Sequence, residues 1–331
     1  MRAVLMPEPG PADVLQLADV AEPEITLPTQ IKVRIEAAGV NPIDTKVRQQ
    51  ALFYAVTEPV ILGLDGAGVV VAVGAHVSKF KVGDAVWFCH GGLGREPGSY
   101  AEFCVLDQDN ADHKPCNLSF PQAAALPLVL LTAWGALYDR GSLQAGHTAL
   151  IHAGAGGVGH IAIQLAKYKG ARVLTTVSSL DKAELARQLG ADQVIDYRRE
   201  PVTERVMALT NHQGADLVLD SVGGAVFANS IYQAAPFGTV VTLLKPESFD
   251  LAEARLRNLR IGFEWMLTPM LRDLPAARAH QIHILEQCRA LLEQEVLTVH
   301  VNQILPLAQA GQAHRHIEAG HSQGKVVLTL R

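Results

Sequence analysis

The sequence predicts an α/β protein in which a mostly β region accompanies a doubly wound parallel sheet. From about residue 147, short β-branched runs alternate with helical stretches, which is typical of consecutive βαβ units. Residues 1 to about 125 instead contain short strand-like runs separated by Pro and Gly turns, without a long helical pattern. The chain has 331 residues, a length that favours two domains over one.

The mostly β region is represented by the segments "IKVRIEAAGV" (31–40) and "AGVVVAVG" (67–74). After residue 268 follow a long helical pattern, "ARAHQIHILEQCRALLEQ" (277–294), and a strand-like run, "GKVVLTL" (324–330). This tail is too short to bury a core alone, so we expect it to fold back on the N-terminal region. The sequence therefore predicts one domain from residues 1–125 and 269–331 and a second from residues 126–268.

The predicted strands of the second domain are almost continuously apolar, as expected where helices cover both faces of a parallel sheet. They are "TALIHA" (148–153), "ARVLTTV" (171–177), "DQVIDY" (192–197), "ADLVLDSVG" (215–223) and "GTVVTLL" (238–244). A possible last strand follows in "RIGFEWML" (260–267). If this apolar strand is an uncovered edge, it favours pairing with a second copy and predicts a homodimer. The alternative is an interior strand covered by the long C-terminal helix.

Composition argues against several kinds of partner. The net charge of −5 and the short groups of basic residues do not predict nucleic-acid binding. The longest apolar stretch (123–138) is interrupted by Pro127 and Thr132, and prolines occupy the N-terminus where a signal-peptide core would lie, so we expect a cytoplasmic protein without a membrane partner. Four cysteines lie far apart without a C-x-x-C pair, which favours isolated reduced thiols.

A glycine-rich turn follows the first strand of the βαβ series. The pattern G-x-G-x-x-G falls on Gly154, Gly156 and Gly159, with Gly157 and Val158 between them. In this context the glycines allow a tight turn, close approach of the backbone to a pyrophosphate, and close packing of helix on strand. The helix N-terminus then offers free N–H groups to the phosphates. The sequence predicts a dinucleotide site; the alternative is a glycine-rich turn without a ligand.

Eight ordered segments resemble the medium-chain dehydrogenase/reductase superfamily, specifically its zinc-free NADPH:quinone oxidoreductase (zeta-crystallin-like) branch. They are "AAGVNPIDTKVR" (37–48), "GLDGAGVVVAVG" (63–74), "FKVGDAV" (80–86), "GSYAEF" (98–103), "LTAWGAL" (131–137), "GAGGVGHIAIQLAK" (154–167), "LDSVGG" (219–224) and "GKVVL" (324–328). The resemblance implies a GroES-like β domain built from both chain ends, an inserted Rossmann domain, and an active site in the cleft between them.

Zinc-dependent members of the superfamily carry a cysteine ligand and a G-H-E segment where this chain has Asn41, Leu64 and Asp65. We therefore expect no metal, although Cys89 and His90 could in principle rebuild a site. Without a Lewis acid a simple carbonyl is hard to polarise, so quinones and α,β-unsaturated carbonyls are the expected acceptors.

The resemblance also implies site residues. Asn41 and Thr132 should lie near the nicotinamide, and Ser221 and Val222 should approach the cofactor, although Asn41 before Pro is also typical of a turn. Asp44 is expected either to hydrogen-bond a neighbour across the cleft or, as is usual for an Asp in a loop, to be solvated or capping.

The sequence offers two alternatives for the proton donor. Tyr54 is the better chemical candidate, although an ungapped count places Phe53 at the family's tyrosine position. If Phe53 faces the cleft, a water molecule would serve.

The end of the second strand of the dinucleotide motif predicts the choice of cofactor. Counting from Gly159 leads to Ser178 and Ser179 rather than to the carboxylate typical of NAD sites. These small hydroxyls leave room for a 2′-phosphate and can donate to it. Lys182 and Tyr197 match positions that contact the 2′-phosphate in NADPH-dependent quinone oxidoreductases, so we expect NADPH. Asp181 is the competing carboxylate; we expect it to cap its own helix, since Glu184 follows three residues later.

Two other functions remain open at this point. One is an enoyl or alkenal reductase that uses the same hydride chemistry on an enone. The other is a non-catalytic, crystallin-like protein that binds NADPH.

Overall fold

The computed structural model describes residues 1–246, 250–320 and 322–330. It consists of two compact units, each described by itself below. Unit 1 comprises Met1–Leu128, Pro269–Glu295 and Val299–Arg331, and unit 2 comprises Val129–Thr268 and Val296–Thr298.

The N-terminal segment of unit 1 is rich in strands, as the sequence predicts. Its elements are β1 (Arg2–Met6), β2 (Gln16–Asp19), β3 (Gln30–Val40), α1 (Pro42–Gln50), β4 (Val60–Ile61), β5 (Asp65–Val73), β6 (Ala85–Cys89), β7 (Phe103–Asp107), β8 (Ala111–His113) and α2 (Phe120–Ala124). β3 alternates between partly exposed and buried residues along most of its length, the pattern of a strand with one face on a core. β3 pairs antiparallel with β5, which places Asp65 opposite Gly39 and close to the start of α1.

Unit 2 is a six-stranded sheet of parallel strands in the order β11-β10-β9-β12-β13-β14. Its elements are α3 (Pro127–Trp134), β9 (Thr148–Ile151), α4 (Gly159–Tyr168), β10 (Arg172–Val177), α5 (Leu180–Gln188), β11 (Gln193–Asp196), α6 (Val202–Leu209), β12 (Ala215–Asp220), α7 (Ala225–Gln233), β13 (Ala234–Thr242), α8 (Ala252–Leu256) and β14 (Arg260–Phe263). The strand order reverses between β9 and β12, which is the doubly wound Rossmann arrangement. The predicted fold class of this part of the chain is thus confirmed.

The segment "RIGFEWML" lies at an edge of this sheet, because β14 pairs with β13 on one side alone among the described strands. Phe263 at its end is 55% exposed. The alternative prediction of an interior strand is therefore wrong.

The C-terminal segment returns to the sheet of unit 1. It contains α9 (Thr268–Leu271), the predicted long helix α10 (Pro275–Glu293), β15 (Val301–Pro306), α11 (Ala310–Glu318) and β16 (Lys325–Thr329). β16 pairs antiparallel with β3, with Val326 opposite Val40. Strands of the N-terminal and C-terminal segments thus share a seven-stranded sheet, whereas β1, β2 and β4 form a separate three-stranded sheet. Lys325 lies beside the start of α1. In the described ranges, no helix has the length and apolar composition that crossing a bilayer requires.

Candidate active site

The glycine-rich turn of unit 2 joins β9 to α4 and is shaped by two tight contacts. A Cβ at Gly154 would lie 2.0 Å from Thr175 Oγ1, and a Cβ at Gly159 would lie 2.2 Å from the Ala153 carbonyl oxygen. A Cβ at Gly156 would have Ala153 O, at 3.1 Å, as its one neighbour within 4 Å, so the space beside Gly156 is open. Gly156, Gly157 and Val158 are partly exposed. The turn therefore offers backbone to a ligand beside the N–H groups of the first turn of α4.

Ser178, Lys182 and Tyr197 lie together at the carboxyl ends of β10 and β11. Lys182 Nζ donates a hydrogen bond to Ser178 Oγ at 3.2 Å. The backbone N–H of Tyr197 donates to the carbonyl oxygen of Val177, so Tyr197, which is 48% exposed, follows β11 at the same edge of the sheet. The structure thus brings an ammonium, a hydroxyl and a phenol to one edge, a donor set that suits a phosphate.

The cap of α5 differs from the prediction. Ser179 is the N-cap residue, and its side chain accepts a hydrogen bond from the backbone N–H of Lys182. Asp181 lies exposed in the first turn, and Glu184 interacts with Gln188 and Arg187 instead of closing a capping box. The expectation that Asp181 caps the helix is therefore wrong; the hydroxyl one position before the helix was the stronger N-cap signal.

The end of β12 borders the same edge of the sheet. Ser221 Oγ donates to the carbonyl oxygen of His152, at the start of the glycine-rich turn, at 3.1 Å. Asp220 Oδ1 accepts from the backbone N–H of Val222, which leaves the Val222 side chain half exposed. Thr132 is buried in α3.

In unit 1, Asn41 belongs to a buried polar cluster with Asp65 and Lys325. Asn41 is the N-cap residue of α1, and its amide donates to Asp65 Oδ2 at 2.9 Å while its Oδ1 accepts from Lys325 Nζ. Lys325 Nζ also lies 3.8 Å from Asp65 Oδ2. All three residues are buried. Burial raises the pKa of Asp65 and lowers the pKa of Lys325, while the attraction between the two charges opposes both shifts.

Asp44 continues this cluster along α1. Its Oδ2 accepts from the Asn41 backbone N–H at 2.8 Å and from the Tyr100 hydroxyl at 3.2 Å, and that hydroxyl lies 3.1 Å from His314 Nε2. Burial raises the pKa of the Asp44 carboxyl from its ordinary 3.8 to about 7. Asp44 thus both completes the cap of α1, one of its two expected roles, and holds a proton that an exposed aspartate would release.

Tyr54 lies away from these contacts, on a cavity of unit 1 with a volume of about 890 Å³. Its hydroxyl has no hydrogen-bond partner among the described residues, and Phe53 is not among the residues that line this cavity. His90 lines the cavity as well, with Nε2 2.8 Å from Glu96 Oε2.

Cys89, the other candidate for a rebuilt metal site, is buried against Asp65. Burial raises the pKa of its thiol well above the ordinary value. Cys89 and His90 thus have separate partners, Asp65 and Glu96.

Sequence reasoning missed Lys325, Tyr100 and His314 as neighbours of Asn41 and Asp44. Lys325 lies in the segment "GKVVL" and Tyr100 in the segment "GSYAEF". The resemblance of these segments to family motifs is the signal that could have found both residues. No motif pointed to His314.

Known proteins resemble the chain over almost its whole length. The family model described as "Alcohol dehydrogenase GroES-like domain" matches residues 27–115, and that described as "Zinc-binding dehydrogenase" matches residues 189–328. The quinone oxidoreductase of Pseudomonas aeruginosa is 36% identical over 325 residues, which cover 96% of each chain.

Solved structures agree with this result. An alcohol dehydrogenase superfamily protein from Novosphingobium aromaticivorans has a TM-score of 0.93 and 37% identity, with 100% of both chains covered. The quinone oxidoreductase of Escherichia coli, solved in complex with NADPH, has a TM-score of 0.87 and 30% identity, with 99% of this chain and 100% of that chain covered. The predicted family and the GroES-like and Rossmann folds are confirmed: the chain belongs to the medium-chain dehydrogenase/reductase superfamily, in the branch that contains the quinone oxidoreductases, and it is an oxidoreductase.

Proposed function

We propose that the chain is an NADPH-dependent oxidoreductase that transfers a hydride to a quinone or a similar conjugated carbonyl without zinc. The observation that carries the proposal is the group of Ser178, Lys182 and Tyr197 beside the glycine-rich turn. Quinone oxidoreductases among the relatives, one of them solved with NADPH, support the same conclusion.

The residues of unit 2 fit NADPH. The open side of Gly156, with Gly154, Gly157, Val158 and Gly159, would hold the pyrophosphate. Ser178, Lys182 and Tyr197 would hold the 2′-phosphate, Thr132 would lie near the nicotinamide, and Ser221 and Val222 would approach the cofactor. When bound, NADPH supplies the hydride.

Tyr54 is the group that we assign to proton donation. Reduction of a quinone to a hydroquinone takes a hydride and a proton, and the Tyr54 hydroxyl would donate the proton to the acceptor oxygen and be reprotonated from solvent. Asn41 and Asp44 are buried, so we assign them a positioning role: they fix the turn at the start of α1.

The chemistry of the side chains at the expected ligand positions supports the proposal that the reaction needs no zinc. Leu64 is buried and has no atom that could bind a metal. The Asn41 side chain already donates to Asp65 and accepts from the Lys325 ammonium. Within the described ranges, no group of three or more His, Cys, Asp or Glu residues is placed to hold a metal ion. Purified protein should therefore hold less than stoichiometric zinc, and a zinc ion required for activity would contradict the proposal.

We further propose that the protein is a homodimer, formed by pairing of the β14 edges. The exposed Phe263 and the edge position of β14 support this arrangement.

Steady-state oxidation of NADPH with quinones, alkenals and enoyl thioesters tests the function. The proposal expects the highest kcat/KM with quinones. A higher kcat/KM with enones would favour the alkenal or enoyl reductase, and slow turnover of every acceptor despite micromolar NADPH binding would favour the non-catalytic protein.

A further inference from the structure

The cavity that holds Tyr54 has the size and lining of a small-molecule site. Its volume of about 890 Å³ falls within the range of ligand pockets. Apolar walls come from Leu93, Met270 and Ile282, beside the polar groups of Tyr54 and His90. An acceptor with one planar apolar body and a carbonyl oxygen matches this lining.

Acidic side chains outnumber basic ones around the cavity. Three Lys or Arg side chains line it, against the five carboxylates Glu96, Asp107, Asp109, Asp273 and Glu286. Two of the three cations are already paired: Lys79 lies 3.6 Å from Glu286 and Arg95 lies 3.9 Å from Asp273. The lining therefore has an excess of negative charge.

The third cation, Arg278, donates hydrogen bonds to neutral oxygens of the protein. Its Nη1 donates to Gln281 Oε1 at 2.8 Å, and its Nη2 donates to the Cys89 carbonyl oxygen at 3.1 Å. Nε and Nη2 also donate to Asn110 Oδ1, at 3.2 and 3.0 Å. Each nitrogen of the guanidinium thus already has a protein partner, and even with its charge counted the lining keeps two more carboxylates than cations.

Two histidines, His90 and His283, also line the cavity, and each lies beside a carboxylate. His90 Nε2 is paired with Glu96, and His283 Nδ1 lies 3.7 Å from Glu286. Each of these ring nitrogens thus already faces a carboxylate of the lining and is not an open site for an anion.

We propose that this cavity is the acceptor site and that its carboxylates select uncharged acceptors, such as simple quinones and alkenals, over acceptors that carry a carboxylate or phosphate. The inference rests on the proposed function and specifies its substrate class. Like charge in a partly enclosed, low-dielectric cavity repels an anion both on approach and when bound. Glu96 and Asp109 are the carboxylates to alter, because both are exposed and, unlike Glu286 and Asp273, neither is paired with a lysine or arginine of the lining.

The experiment compares a benzoquinone with the same ring bearing a carboxylate, using the full chain. We expect kcat/KM to be at least about tenfold higher for the neutral quinone. The ratio should fall as salt screens the carboxylates, and it should fall toward one in the double variant E96Q/D109N, in which three carboxylates face three cations. Glu8→Gln, an exposed change in unit 1 outside the cavity, should leave the ratio unchanged.

A second measurement does not depend on turnover. Calorimetry without cofactor should show tighter binding of the hydroquinone than of its carboxylated analogue to the wild-type protein, with the difference reduced in E96Q/D109N. Equal affinities in the wild type, or a kcat/KM ratio that neither salt nor E96Q/D109N changes, would overturn the inference while leaving the proposed function intact. If neither quinone is reduced, the proposed function fails, and calorimetry alone decides the selectivity of the cavity.

Discussion

Lys182 Nζ donates to Ser178 Oγ across 3.2 Å, so the ammonium lies at the carboxyl end of β10. The neighbouring strand places Tyr197 at the same edge. An ammonium held there favours a 2′-phosphate over a 2′-hydroxyl, because the phosphate carries the complementary charge.

We expect NADPH to be preferred over NADH by at least about tenfold in kcat/KM, which corresponds to about 1.4 kcal/mol. Lys182→Ala should lower kcat/KM with NADPH by a similar factor and leave NADH nearly unchanged, because NADH has no phosphate for the ammonium to contact. Arg187→Ala, at the far end of α5, is the control. An equal loss with both cofactors, or a wild type that prefers NADH, would show the assignment to be wrong.

Gly156 and Gly159 should respond differently to alanine. A Cβ at Gly159 would lie 2.2 Å from Ala153 O and 2.8 Å from Gly154 Cα, so Gly159→Ala should lower the free energy of unfolding by about 1–3 kcal/mol. Gly156→Ala meets a single oxygen at 3.1 Å and should leave stability within about 1 kcal/mol of the wild type. Its methyl group would instead raise the Kd for NADPH by about tenfold or more.

Thermal unfolding and calorimetric titration with NADPH separate these two effects. If Gly156→Ala keeps the wild-type affinity, the pyrophosphate does not approach that side of the turn.

The grouping of the candidate site residues of unit 2 could be predicted because it depends on local sequence. Gly154, Gly156 and Gly159 belong to one turn, and a count along two consecutive βα units leads to Ser178, Lys182 and Tyr197. The start of α5 was assigned wrongly because two adjacent serines and an aspartate compete as caps, and propensity alone does not decide among them.

The buried cluster of unit 1 could not be predicted in the same way. Lys325 and Asn41 are 284 residues apart in the chain, and antiparallel pairing of β16 with β3 brings them together. Nothing in either local segment specifies this register. Tyr100 and His314 are 214 residues apart and likewise meet only in the folded chain.

The pair of Lys325 and Asp65 should show strong energetic coupling. Both side chains are buried, so Lys325→Met leaves an uncompensated carboxylate and should lower the free energy of unfolding by about 3–5 kcal/mol. Adding Asp65→Asn removes that charge, and the double variant should lose less than the sum of the two single variants. Urea unfolding of the four proteins measures the coupling; simple additivity would mean that the pair contributes little.

The edge of the Rossmann sheet should control the oligomeric state. Phe263→Lys places a charge on β14, which disfavours pairing of two edges, so we expect a dimeric wild type and a monomeric variant in light scattering. Tyr232→Lys alters an aromatic side chain of unit 2 that is similarly exposed but lies on α7, and it should stay dimeric. A monomeric wild type at micromolar concentration would remove the proposed dimer.

Asp44 should make stability depend on pH in the direction opposite to that of an ordinary aspartate. Its pKa is about 7 in the folded protein against 3.8 for an exposed aspartate, because burial disfavours the charged form. Between these values the folded chain keeps a proton that the unfolded chain has released, so the free energy of unfolding falls as pH rises, by up to about 1.4 kcal/mol per pH unit. Above about pH 7 both states are ionised and this contribution becomes constant.

Asp44→Asn has no proton to release, so its stability should decline less than that of the wild type between about pH 5 and 7. The slope of the free energy of unfolding against pH is the quantity to measure, since the substitution also changes the overall stability. Asp84→Asn provides a control of opposite sign, because the hydrogen bond from the Lys81 backbone N–H lowers the pKa of Asp84. The stability that ionised Asp84 contributes is therefore present at neutral pH and is lost as pH falls. Parallel curves for the wild type and Asp44→Asn across this window would show that Asp44 is ionised in the folded protein.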